Sequence, residues 1–243
     1  MCKALGYAAH VNETIPILYQ DERLLAVDKP AGLMVHPSRI SQDRRFLVDI
    51  LRQQLGGRLH PVHRLDRATS GVLLLARNAG VAGQLGRAFQ ERQVGKSYLA
   101  LVRGWMDLAG MIDEPLTGHS DQLLAASTRY RLLRRTEFDF PVGRYPTSRY
   151  SLIALRPRTG RMHQLRRHLR KVFHPIIGDT TYGEGRHNRF FRQHFGIHRL
   201  MLHARSLSLP DPDGGAALRF VSPLPEEFHR VFDDQLDNGL RLG

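Results

Sequence analysis

The sequence predicts a mixed α/β domain, and three features carry that prediction. Apolar, β-rich runs of strand length recur at Leu24-Leu25-Ala26-Val27, Val72-Leu73-Leu74-Leu75-Ala76, residues 96–103 and residues 200–209. Apolar residues at helical spacing lie between them, over 47–55, 80–92 and 161–171. Two longer β-rich segments, 128–138 and 148–156, are joined by the turn-like Phe140-Pro141-Val142-Gly143-Arg144-Tyr145-Pro146 and predict an antiparallel pair. With 243 residues and no repeat, low-complexity tract or linker, the expectation is one domain over 15–236, between an N-terminal arm at 1–14 and a C-terminal tail at 237–243.

Taken in order, the strand at 24–27 ends in the turn Asp28-Lys29-Pro30-Ala31-Gly32, and Leu33-Met34-Val35-His36 resumes extended structure. Leu47, Ile50, Leu51 and Leu55 share one helical face, and Gly56-Gly57 stops that helix. Val81, Leu85, Ala88 and Phe89 give the next helix its packed face. The strand at 96–103 alternates and carries Tyr98 near its start, while 107–127 is mixed and loop-like. At about 100° per residue, Met162, Leu165, Leu169 and Val172 form the apolar face of the third helix. His163, Arg166, Arg167 and Arg170 form an adjoining basic face, which either meets an anion or is simply solvated. Residues 180–195 are polar and aromatic, either a loop that grips RNA or an ordinary surface loop. Strands at 200–209 and 217–221 and a helix at 226–236 close the chain.

Charge narrows the partners. Lys and Arg total 36 against 23 Asp and Glu, leaving +13 with His neutral, and the expected large anionic partner is a nucleic acid. Apolar runs of about 18 residues are absent, as is the charged start and apolar core of a signal peptide, so a soluble, cytoplasmic chain is expected and a membrane partner is not. A lone Cys2 fits a reducing compartment, and Asn12-Glu13-Thr14 is then a chance sequon. His194 and His198 have the spacing of two helical metal ligands, but Gly196 lies between them and no Cys or acid follows nearby, so no metal site is expected.

The densest chemical signal is His63-Arg64-Leu65-Asp66-Arg67-Ala68-Thr69-Ser70-Gly71, directly before the apolar run at 72–76. Asp66 is the only acid between Asp49 and Glu91, set among bases in a turn at the mouth of a buried strand. It is either a functional carboxylate on a rigid support or an acceptor of turn hydrogen bonds paired with Arg64 or Arg67.

Several stretches in one order resemble the RluA-type family of RNA pseudouridine synthases. They are Val27-Asp28-Lys29-Pro30-Ala31-Gly32, the Asp66 stretch, Lys96-Ser97-Tyr98, Thr159-Gly160-Arg161-Met162-His163-Gln164-Leu165-Arg166, His174-Pro175-Ile176-Ile177-Gly178-Asp179 and Leu202-His203-Ala204. Asp28 stands where that family more often has Asn, and Asp211-Pro212 where a His-Pro pair is usual. Residues 143–150, Arg166-Arg167 and 194–204 are similar to the subgroup that modifies tRNA. The resemblance implies a long, mostly antiparallel, bisected sheet flanked by helices and loops, without the S4-like domain often present in the family.

In that family uridine becomes pseudouridine, with the N1–C1′ bond exchanged for C5–C1′ and no net redox change. The resemblance therefore implies an isomerase that needs no cofactor, acting as a monomer on tRNA at uridine 65 of the T-arm stem, with ribosomal RNA or several RNAs as the alternative. It implies Asp66 as catalytic carboxylate, either attacking C1′ or removing the C2′ proton. Arg166 would keep Asp66 ionised, and Tyr98 would stack on the uracil and assist removal of the C5 proton. Arg64 would fill the place of the flipped base. His63, Arg161, His163, Gln164, Arg167, Arg170 and Leu202 are the remaining expected substrate contacts. Two other classes compete: an RNA-binding module would lack the set of Asp66, Tyr98 and Arg166, and a glycosidic hydrolase would usually show a second carboxylate near the first.

Overall fold

The computed structural model describes residues 14–37, 43, 45–118 and 120–232. The predicted arm beyond Thr14 and the tail at 237–243 lie outside those residues. The chain begins with β1 (Ile17–Gln20) and β2 (Leu24–Lys29), then α1 (Leu47–Leu55), β3 (His60–Pro61), β4 (Ser70–Ala76), α2 (Ala79–Gln90) and β5 (Gly95–Arg103). Next come β6 (Ala109–Asp113), β7 (Leu116–Thr117), β8 (Leu123–Leu124), β9 (Ser127–Phe138) and β10 (Ser148–Pro157). The last elements are α3 (Gln164–Lys171), α4 (Gly185–Phe195), β11 (Leu202–Leu209), β12 (Leu218–Val221) and α5 (Glu226–Phe232).

Ten strands share one sheet, with the path β1-β2-β4-β11-β5-β10-β9-β6 and with β3 on β4 and β12 on β11. Every pairing in it is antiparallel except that of β4 with β11. Strands β2 and β4 carry continuous apolar runs, Leu24–Val27 and Val72–Ala76, because both of their faces are covered. Leu25, Val27, Leu73 and Leu75 pack with Leu47 and Leu51 of α1, while Leu24, Ala26, Val72 and Leu74 pack with Val81 and Leu85 of α2. Adjacent residues therefore serve opposite layers, as the strand period of two requires. The N-terminus of α2 is closed by Asn78, whose Oδ1 accepts from the Val81 N–H at 2.9 Å.

Four expectations change. Residues 107–127 contain β6, an edge strand whose backbone pairs with β9, and the small hairpin of β7 and β8. Only Ile112 of β6 is buried, so side chains carried no alternation to find. The expected loop at 180–195 is largely the helix α4, because Phe190 and Phe191 turn inward against Phe138 and Tyr150. Helix α3 starts only at Gln164, which leaves Met162 outside it and 51% exposed instead of on its apolar face. Leu33–His36 contributes a single bridge, between Met34 and Phe46, and no strand. The described part of the closing helix is 226–232; the rest of its expected length lies outside the described residues.

The parallel contact of β4 with β11 fixes where the Asp66 loop emerges. Ser70 is opposite His203 and Gly71 opposite Ala204, and a Cβ on Gly71 would meet the Ala204 carbonyl oxygen at 2.2 Å. Gly71 also has φ +112°, a conformation costly to any L side chain. Gly71→Ala should therefore destabilise the protein by on the order of 3 kcal/mol or more, read as a lower urea midpoint. A midpoint equal to wild type would mean that the two strands separate at no cost.

Candidate active site

The loop before β4 is held from below by a lysine. Lys29, fully buried at the end of β2, donates to the carbonyls of Pro30 at 2.8 Å, Leu33 at 2.7 Å and Arg67 at 3.2 Å. The Gly32 N–H donates to the same Arg67 carbonyl at 2.8 Å, and Thr69 N–H closes a turn on the Asp66 carbonyl at 3.0 Å. Burial pushes the Lys29 pKa down to about 7, with Arg199 adding to the effect and the charges of Asp66 and Asp28 opposing it. The turn at 28–32 and the Asp66 loop are thus one unit.

Helix α3 approaches that unit with its N-terminal end. His163 precedes the helix in left-handed conformation, φ 53°, and its Nε2 lies 3.9 Å from Asp66 Oδ1. Arg166 Nη1 lies 3.9 Å from the other carboxylate oxygen of Asp66. Arg166 is itself only 6% exposed and its guanidinium is gripped by Asp179, with Nε to Oδ2 at 2.7 Å and Nη2 to Oδ1 at 2.8 Å. Asp179 also accepts the N–H groups of Thr181 and Tyr182, both at 2.9 Å, and the Tyr182 ring lies 5.0 Å below the guanidinium. The Tyr182 hydroxyl and His163 Nδ1 are 3.1 Å apart, which closes the cluster. Burial alone would raise the Asp179 carboxyl, but the Arg166 fork and the two backbone donors outweigh it and hold it below the usual range. Burial likewise pushes the His163 imidazole down against the opposing charge of Asp66.

Tyr98, on β5, completes the cleft. Burial and then the Asp66 charge push its phenol well above the ordinary value, so it presents a neutral ring. The arrangement offers a carboxylate at a partly open cleft, a fixed cation beside it and an aromatic ring near enough to feel its charge. Such a set suits nucleophilic or basic attack on a sugar beneath a stacked base.

Of the residues singled out in the sequence, Asp66, Tyr98, Arg166 and His163 come together here. Arg64 is exposed beside the cleft, two residues from Asp66. His63 does not face it: its Nε2 accepts the Leu74 N–H at 3.0 Å and its ring stacks on Phe89 at 4.8 Å. Burial, with the charge of Lys96, pushes the His63 pKa down to about 3, and the ring is a neutral structural acceptor. Gln164 is structural as well, 4% exposed, its oxygen accepting from Thr159 and Arg161 and its amide donating to Ser127 and Thr128. Both ends of that side chain are therefore occupied, which removes it from the expected substrate contacts. Leu202 is a core residue of β11, 3% exposed opposite Ala100. Arg161 and Arg167 are tied to the carbonyls of Ala125 and Thr117, each at 3.0 Å, and Arg170 is exposed 3.7 Å from Glu184. The basic face of α3 is accordingly split: Arg166 is buried inward, and only its neighbours reach solvent. Asp179, Tyr182 and Lys29 belong to the site and had no role from the sequence; Asp179 and Lys29 lay within quoted motifs. Asp179 is a second carboxylate near the first, but both of its oxygens are taken. His194 packs on Phe140 and Phe190 instead of facing a ligand.

The fork yields a prediction with a pH sign. Asp179 has a depressed carboxyl, so its contribution is present above the unfolded value near 3.9 and is lost as pH falls through the folded one. Asp179→Asn leaves a buried guanidinium without its counter-charge and should cost about 3 kcal/mol at neutral pH. Its stability should also fall less steeply than that of wild type below about pH 4. Parallel acid denaturation curves for the two proteins would contradict the assigned role.

Comparison with known proteins gives this cleft its family. The model of the RNA pseudouridylate synthase family matches residues 23–171. Proteins named tRNA pseudouridine synthase C are similar: that of Pasteurella multocida is 47% identical over 211 residues, covering 82% of this chain and 87% of that one. The Vibrio parahaemolyticus protein is 40% identical over 230 residues, covering 90% and 94%. The Pectobacterium carotovorum protein is 46% identical over 216 residues, covering 84% of this chain, which spans 57% of that protein's length. Among solved structures, human RNA Pseudouridylate Synthase Domain Containing 1 superposes with TM-score 0.71 at 30% identity, covering 88% of this chain and 84% of that one. Domain Containing 4 does so with TM-score 0.68 at 28%, covering 89% and 92%. A family model spanning more than half of the sequence, relatives at 40–47% identity and a shared fold lead to one conclusion: the chain belongs to the RNA pseudouridylate synthase family.

Proposed function

We propose that this enzyme isomerises uridine to pseudouridine in tRNA, at uridine 65 of the T-arm stem, with Asp66 as the catalytic carboxylate. The observation that carries the proposal is the Asp66 carboxylate set 3.9 Å from both Arg166 Nη1 and His163 Nε2, beside the neutral Tyr98 ring. The tRNA reading is supported by the names of the relatives and by the +13 charge, which suits a polyphosphate partner.

In the reaction the N1–C1′ bond breaks, the uracil turns, C5 joins C1′, the C5 proton is lost and N1 gains one. Asp66 acts on the ribose, by attack at C1′ or by taking the C2′ proton, and either route needs it ionised. Arg166 holds that charge because its own position is fixed by Asp179. Tyr98 stacks on the uracil; burial and Asp66 both disfavour its phenolate, so the ring, more than the hydroxyl, is its working part. Arg64 enters the stem in place of the extruded base and offsets part of the few kcal/mol that flipping costs.

Two measurements test this. Purified protein should form pseudouridine at the T-arm position of unmodified tRNA, and folded Asp66→Asn should bind that tRNA and form none. Product from Asp66→Asn free of wild-type enzyme would remove the carboxylate from its role, and modification confined to ribosomal RNA would replace the substrate. For Arg64→Ala, kcat/KM on a fully paired T-arm should fall by about tenfold or more, with a smaller loss where the target uridine is mismatched and easier to flip. Equal losses on both substrates would leave Arg64 as a backbone contact.

A further inference from the structure

Lys96 lies on β5 two residues before Tyr98, on the same face of the strand and about 7 Å along it, which is within the span of one nucleotide. Its ammonium reaches toward the turn that leads into α3: a Cβ on Gly160 would sit 3.8 Å from Lys96 Nζ. His63 is near enough for its ring to feel the Lys96 charge. Lys96 is partly buried, and burial pushes its pKa below the ordinary lysine value. Among the described residues its ammonium makes no hydrogen bond or ion pair. The contrast with Lys29 is direct, since the buried ammonium of Lys29 is met by three carbonyls. The Lys96 ammonium still reaches solvent and is therefore open to an incoming anion. The anion that an RNA brings with each nucleotide is its phosphate.

We propose that Lys96 is a phosphate-binding residue of the cleft, taking a phosphate that flanks the uridine flipped over Tyr98. The proposal rests on the reading of Asp66 and Tyr98 as the uridine site. It makes Lys96 a group that fixes the backbone of the target nucleotide, while Asp66 meets its sugar and Tyr98 its base. Phosphate binding also raises the pKa that burial has lowered, so the cation is fully charged when occupied.

The test combines Lys96→Met, which keeps the length and removes the charge, with Lys96→Arg and with tRNAs carrying one neutral methylphosphonate on the 5′ or 3′ side of the target uridine. Lys96→Met should weaken tRNA binding and kcat/KM by about tenfold. It should also flatten the log–log salt dependence by about one unit, with the saturated single-turnover rate little changed. Lys96→Arg should recover most of the loss. One of the two methylphosphonates should weaken wild-type binding as much as Lys96→Met does, with no further loss when both changes are combined. An unchanged salt slope, or equal methylphosphonate penalties in wild type and Lys96→Met at both positions, overturns the proposal. If Lys96→Met fails to fold by circular dichroism, the methylphosphonate series on wild type decides, and no penalty at either position overturns it. Wild-type protein that binds tRNA with these signatures but forms no pseudouridine would overturn the proposed function and leave the phosphate site standing.

Discussion

Arg166 carries a permanent charge at 6% exposure, and a guanidinium so buried persists only with its donors met and its charge opposed. Asp179 supplies both, with two short parallel bonds, and is itself satisfied by two backbone N–H groups of the chain that follows. The consequence for the site is directional. With Nε and Nη2 committed to Asp179, Nη1 is left facing Asp66 at 3.9 Å, so the helix presents one donor of fixed position and not a mobile cation. A lysine at 166 would keep the charge but lose the geometry, since one ammonium cannot hold Asp179 by two parallel bonds and face Asp66 as well.

The carboxylate needs a matching constraint, and Lys29 provides it from the opposite side. Its three acceptors are backbone carbonyls, and one of them belongs to the residue after Asp66. Three such hydrogen bonds, each worth about 0.5–1.5 kcal/mol net and more while the amine is charged, are enough to set a loop that carries no regular structure. Gly71 then lets β4 lie against β11, and the loop has one exit. Asp66 and Arg166 are thus positioned by different parts of the chain, which meet at the cleft.

Much of this was legible in the residues, and the failures have physical causes. Strands β2 and β4, α1 and α2 follow period and composition because burial on both faces leaves little choice of residue. Asp66 stood out because a solitary acid among bases is a chemical anomaly. Asp179 did not, although it lies in a quoted motif, because the pair it forms with Arg166 spans 13 residues and is made by a fold between them, which no local pattern encodes. Gln164 and His63 were misplaced for the reverse reason: polar residues beside a site look available until their hydrogen bonds are counted. Helix α4 was readable, since His187, Phe190, Phe191, His194 and Phe195 recur at helical spacing, but the polar residues between them masked the period.

The two departures from the family's usual residues are absorbed by charge. Asp28 is pushed up by burial, but Ser222 Oγ donates to it at 2.8 Å and Arg199 and Lys29 lie near enough to oppose that shift. Arg199 also donates to the Ser70 hydroxyl, which is paired with His203 Nδ1 at 2.8 Å. An acid in place of an amide at 28 therefore enters a region already rich in cations, directly behind the Asp66 loop. Asp211 is used in the same way, accepting from Arg23 at 2.9 Å and tying the start of β2 to the turn between β11 and β12. In a chain of net +13, added carboxylates at such positions lower self-repulsion where strands converge.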